Sequence, residues 1–110
     1  MSGSGTGGHT RSEHRVCAVD DLPPGEVAVL AGGDPVAVFN VNGKLLAIAD
    51  TCSHETASLA EGWVEGETVE CPHHLARFCL RTGRALCLPA TRPVTTYQVI
   101  VRDGFVYVLR

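Results

Sequence analysis

The chain has 110 residues, with 45% hydrophobic and 19% charged residues and a formal net charge of −3. That length holds one core, and the mild acidity argues against a nucleic-acid binder, which needs a basic face for phosphates. No apolar run approaches a membrane span, and the start shows neither a basic-then-apolar leader nor a twin-arginine pair, so a cytoplasmic protein is expected.

Residues 1–15 are rich in Ser, Gly and Thr without apolar periodicity. They read as a flexible tail in which His9 and His14 are solvated bystanders. Residues 16–110 read as a single domain of short strands and turns. Val27-Ala28-Val29-Leu30 is a short apolar run closed by Gly32-Gly33. Strands are expected over Val36 to Val41 and Leu45 to Ala49, joined by Asn42-Gly43, a pair that tolerates the positive φ of a type I′ turn. Val94 to Val101 and Phe105 to Leu109 flank Arg102-Asp103-Gly104 as a second hairpin, and Arg81-Thr82-Gly83-Arg84 marks a further turn. No segment sustains a helical period for three turns, so the fold class is all-β, a small antiparallel sandwich or barrel. From about residue 50 to 93 two loops interrupt this pattern and gather the unusual side chains, as inserted loops do when a rigid scaffold presents a site.

The first loop reads Asp50-Thr51-Cys52-Ser53-His54 and the second Glu70-Cys71-Pro72-His73-His74. This is C-x-H, sixteen residues, then C-x-x-H, so each loop offers one thiolate and one imidazole. Unrelated cysteines and histidines would not pair their ligand types in this way. A structural zinc site is the second reading, but a zinc finger puts both cysteines in one knuckle and both histidines on a following helix. The third is a [2Fe–2S] cluster with one iron on sulfur and the other on nitrogen.

The stretch from Val36 to Val108 resembles the Rieske ferredoxin components of bacterial aromatic ring-hydroxylating dioxygenase systems. The run from Val36 through Cys52-Ser53-His54 is similar to that family's lead-in to its first box. Ala57 to Gly66 is similar to the connection, and Glu70 to His74 with Arg77 to Gly83 to the second box and its sequel. The resemblance implies a β base domain with an inserted cluster-binding subdomain. It implies one Rieske cluster on Cys52, His54, Cys71 and His74, with His73 at the variable position. Leu75 and Ala76 stand where the family usually has two glycines. The resemblance further implies a carrier of single electrons, from an NAD(P)H-dependent flavin reductase to the Rieske centre of a terminal oxygenase, with no small-molecule substrate of its own. The alternative is a small Rieske-like subunit fixed in a larger reductase, such as nitrite reductase. The chain is not itself the oxygenase. Oxygen activation uses a mononuclear iron on two histidines and a carboxylate, and beyond the two boxes only His9 and His14 remain.

With two ferric ions, two sulfides, two thiolates and two neutral imidazoles the cluster is formally uncharged, so it accepts an electron more readily than an all-thiolate one. High-potential relatives add a disulfide between the loops and a serine and tyrosine that donate to the cluster sulfurs. The matching positions here are Ala57 and His73, and Ala76 and Phe78, which implies the low end of the Rieske range. Leu86 to Pro93 is similar to the proline-containing loop that covers the cluster's third side. Cys17, Cys79 and Cys87 are expected to be buried free thiols behaving as small hydrophobes. Trp63 is expected in the core or in loop packing, and the glutamates at 55, 61, 65, 67 and 70 on a solvated face.

Overall fold

The computed structural model describes residues 12–52, 57–72, 76–86 and 92–110. Its centre is the hairpin of β3 (Val36–Val41) and β4 (Lys44–Ala49), registered from Val36 opposite Ala49 to Val41 opposite Lys44. Asn42 and Gly43 take φ of 54° and 94°, the pair of positive values that a type I′ turn requires. Asn40 locks this end: its Oδ1 accepts the Gly43 N–H at 2.7 Å, and its Nδ2 donates to the Leu22 carbonyl at 2.8 Å. Adding β2 (Val27–Leu30) and β8 (Thr96–Tyr97) gives a four-stranded antiparallel sheet in the order β2-β3-β4-β8.

A second sheet, β9-β10-β1, is built from β1 (Glu13–Ala18) and the terminal hairpin of β9 (Val99–Arg102) and β10 (Phe105–Leu109). The third, β5-β6-β7, is the small sheet of the inserted region, formed by β5 (Trp63–Glu65), β6 (Thr68–Glu70) and β7 (Arg77–Cys79). Among the described residues the helical elements are two 3-10 turns, Val19–Asp21 and Leu59–Glu61.

Strand alternation explains how one hairpin supports two cores. Val36, Ala37, Val38 and Phe39 are each at most 2% exposed, so β3 is buried on both faces. Val36 and Val38, with Ala47, pack against Val106 and Val108 of the second sheet. Ala37 and Phe39, with Ile48, pack against Val69 and Phe78 of the small sheet. The all-β, antiparallel expectation holds, with the strands divided over three sheets. Glu67 ties the small sheet to the base from outside: it pairs with Lys44 at 3.0 Å and accepts from Arg81 at 3.0 and 2.9 Å. Those two cations hold its carboxyl below the usual range.

Four expectations need correcting. Glu13, His14 and Arg15, which composition places in the tail, open β1 and pair with β10, because backbone pairing needs no apolar side chains. The run Val94–Val101 is not one strand: it breaks at Gln98, with β8 joining β4 and β9 joining β10. Cys17 and Cys79 are free thiols but only half-buried. Burial still pushes the Cys17 thiol up, while a hydrogen bond with the Thr82 side chain holds Cys79 down, so Cys79 sits in a polar setting. Trp63 is 65% exposed, since β5 is an edge strand and Trp63 points to the outer face of the small sheet. Cys87 and Pro89 lie outside the described residues.

Candidate metal centre

Both ligand loops leave the ends of paired strands and close in the same way. In the first, Thr51 and Ser58 form a β-bridge, and inside it the Cys52 N–H donates to the Ala57 carbonyl at 2.9 Å. In the second, Glu70 and Arg77 are opposed in the β6–β7 ladder, and inside them the Cys71 N–H donates to the Ala76 carbonyl at 2.8 Å. Each loop therefore starts with a cysteine, ends with an alanine five residues on, and is pinched by one backbone bond between them. The four positions enclosed in each loop hold the remaining residues of each box.

The two cysteines are buried at 3% and 0% exposure and belong to one continuous core with Ala57, Ala76, Phe78 and Val94. The fold thus brings the two predicted sulfur ligands together at the mouths of matched loops. The predicted nitrogen ligands, His54 and His74, and their neighbours His73 and Leu75 lie outside the described residues. Two thiols set into an apolar core suit a thiolate-ligated metal group, because such a core keeps water from its sulfurs. The donor chemistry of the boxes, soft sulfur from each loop with imidazole beside it, fits the same group.

Asp50 is the residue whose part sequence reasoning missed. It is the buried polar side chain among the described residues, 7% exposed, two positions before Cys52. Its carboxylate accepts the Ser58 hydroxyl, at 2.9 and 2.8 Å to its two oxygens, and the Ala60 N–H at 2.9 Å; its main-chain carbonyl accepts the Leu59 N–H at 2.6 Å. One residue thereby fastens both ends of the first loop. The available signal was an acid at the end of an apolar strand with Ser58 eight residues on. Asp50→Ala leaves the Ser58 and Ala60 donors without this acceptor and is expected to cost about 1–3 kcal/mol, read from paired denaturant titrations. Asp50→Asn, which keeps a carbonyl acceptor, is expected to lose less; equal losses would refute this role.

The second loop is fastened by the sheet itself and by an exposed ion pair, Arg77 to Glu70 at 3.2 Å. Gly62 lets β5 approach this point, since a side-chain carbon there would overlap the Glu70 carbonyl. Behind the loop, Phe78 is fully buried and Leu86 donates its N–H to the Arg77 carbonyl at 2.8 Å. Positions 57, 76 and 78 carry no sulfur or hydroxyl group.

Residues 12–98 match the family described as Rieske [2Fe–2S] domain. The chain is 50% identical over 94 residues, 84% of its own length and 90% of the other, to the 3-phenylpropionate/cinnamic acid dioxygenase ferredoxin subunit of Photorhabdus laumondii. Among solved structures it superposes at TM-score 0.84 on a chain from a complex of reduced oxygenase and oxidized ferredoxin in carbazole 1,9a-dioxygenase. The identity there is 38%, covering 88% of this chain and 92% of that one. The ferredoxin of carbazole 1,9a-dioxygenase from Nocardioides aromaticivorans superposes at 0.82, with 36% identity over 88% of this chain and 96% of the other.

Proposed function

Because this chain belongs to the Rieske [2Fe–2S] domain family, we propose that Cys52, His54, Cys71 and His74 hold its one cluster, and that it works as a diffusible carrier within a dioxygenase system. The protein is a ferredoxin subunit of an aromatic dioxygenase system and not the oxygenase. The observation that carries the ligand assignment is the burial of Cys52 and Cys71 in a single core, each at the head of a loop closed by the same hydrogen bond.

When bound, the cluster supplies a reversible one-electron couple. The chain's own residues do the rest. Cys52 and Cys71 supply thiolates from the core side, while His54 and His74 supply imidazoles. Ala57, Ala76 and Phe78 surround the sulfur side with apolar groups. Asp50 and the Glu70–Arg77 rung hold the two loop bases. A flavin reductase fed by NAD(P)H is the donor and a terminal oxygenase is the acceptor. Docking to each is brief and small in area, as is usual for redox encounters. Among the described residues no helix is long and apolar enough to cross a membrane. A cytoplasmic location is proposed because the NAD(P)H that feeds the chain of carriers is found there.

The test is reconstituted turnover: product from a reductase and oxygenase pair is expected to depend on added holoprotein, and the reduced protein is expected to give the rhombic low-g EPR signal of a Rieske cluster. Colourless protein holding zinc and no acid-labile sulfide after anaerobic reconstitution would defeat the proposal.

The potential follows from what surrounds the sulfurs. Hydroxyl donors to sulfur favour the reduced, more negative state, and positions 76 and 78 provide none. The midpoint is therefore expected near the lower Rieske limit of about −150 mV, measured by protein-film voltammetry. Phe78→Tyr is expected to move it upward. A midpoint well above zero for the unaltered protein would contradict this.

A further inference from the structure

The small sheet has an inner face that the core explains and an outer face on which only the Glu70–Arg77 pair has a structural part. Residues opposed in an antiparallel ladder share a face. Val69 and Phe78 lie on the inner face, fully buried. Trp63, Glu70 and Arg77 form one outer rung, and Glu65, Thr68 and Cys79 the next. Trp63, Val64, Glu65, Thr68, Glu70 and Arg77 line a hollow of about 260 Å³ on this side.

Its chemistry is specific. Trp63 is 65% exposed at one wall, an apolar ring left in water although the same sheet has a core to fill. Glu65 is exposed and takes no ion pair among the described residues, and Glu70 shares Arg77 at 3.2 Å. Two carboxylates against one guanidinium leave the hollow net negative. Glu67, the neighbouring acid, is already taken by Lys44 and Arg81. An aromatic face beside one carboxylate without an ion pair, in a hollow that is net negative, is a combination that receives an arginine or lysine side chain, through the ring and the charges together. The hollow also adjoins the site: Glu70 precedes Cys71 in the chain, and Trp63 lies opposite Glu70.

We propose that the outer face of the β5–β6–β7 sheet, centred on Trp63, Glu65 and Glu70, is a docking surface that seats a cationic side chain from a basic patch on a redox partner. Glu70 on this surface immediately precedes Cys71, so a partner seated there is held next to the base of the second ligand loop. It deepens the carrier reading and rests on it.

The experiment uses the holoprotein with a flavin reductase and a terminal oxygenase that turn it over, measuring KM for the carrier in each half-reaction at low and high salt. Trp63→Ala is expected to raise KM for at least one partner about tenfold with kcat little changed, and Trp63→Phe to recover much of the loss. Glu65→Gln is expected to flatten the salt dependence of the same KM. The EPR signal is recorded for every protein. Unchanged KM values for both partners with the signal intact overturn the docking surface alone, whereas absence of the signal from the unaltered protein overturns the carrier reading and the surface with it. Sedimentation is run in parallel: a dimer of the unaltered protein that Trp63→Ala converts to monomer, with KM unmoved, assigns the face to a second copy and also overturns the proposal.

Discussion

His74→Cys is expected to alter or abolish the rhombic EPR signal of the reduced protein and to impair its transfer of electrons to an oxygenase, while His73→Ala keeps both. The difference rests on the ligand set. Under the proposed assignment, exchanging one imidazole for a thiolate leaves three thiolates and one imidazole, so the cluster gains a negative charge and loses part of the ease of reduction that its neutral ligands give. His73 stands at the variable position of C-x-x-H and is given no bond to iron. The contrast is sharp because the two histidines are adjacent: a general disturbance of the loop would strike both variants alike. Optical spectra, iron and sulfide content, and EPR of paired preparations decide the matter. Equal behaviour of the two variants would overturn the assignment of His74.

Gly83→Ala is expected to unfold much of the inserted region. Gly83 sits at φ +77°, a conformation that L side chains rarely adopt, and a side-chain carbon there would overlap the Val94 carbonyl oxygen. The approach is close because Gly83 is bonded on both sides, its N–H to the Cys79 carbonyl at 2.7 Å and its carbonyl to the Val94 N–H at 2.8 Å. Val94 is 7% exposed and part of the core that contains both cysteines. Left-handed backbone at a non-glycine residue costs about 1–3 kcal/mol and overpacking about 1–3 kcal/mol. Their sum is a large part of the roughly 5–15 kcal/mol that holds a domain together. The effect is measured by thermal and denaturant unfolding. Gly43→Ala serves as the comparison: it shares the positive φ but meets nothing within 4 Å, so it is expected to lose clearly less. Similar losses at the two positions would show that the contact with Val94 counts for little.

Much of this was legible in the sequence because its strongest signals are local. Asn42-Gly43 and Asp103-Gly104 fix two hairpins by the φ values they permit, and the structure has both. The boxes around Cys52 and Cys71 mark a paired metal-binding site by residue type and spacing, with the family resemblance pointing to the cluster, and the cysteines lie in one core. What the sequence hid depends on partners distant in the chain. β5 and β6 are three residues each, too short for alternation to register, and their turn, with Gly66 at φ +58°, lacks the Asn-Gly pair that marks the larger hairpins. The break at Gln98 is invisible because Thr96–Tyr97 and Val99–Arg102 are equally strand-like; only the sheets they join differ. The exposure of Trp63 is hidden for a related reason: apolar character says nothing about which strand lies at the edge of a sheet or which face a residue takes.

The matched closure of the two loops has a further consequence for speed. The amides of Cys52 and Cys71 are both committed to the carbonyls of Ala57 and Ala76, and the side chains they carry are enclosed by packed neighbours. Dipoles fixed in this way do not have to turn when the charge beside them changes, so their share of the reorganisation energy stays small. Under the proposed ligand assignment, the sulfur side of the site is built to change charge with little movement of these groups.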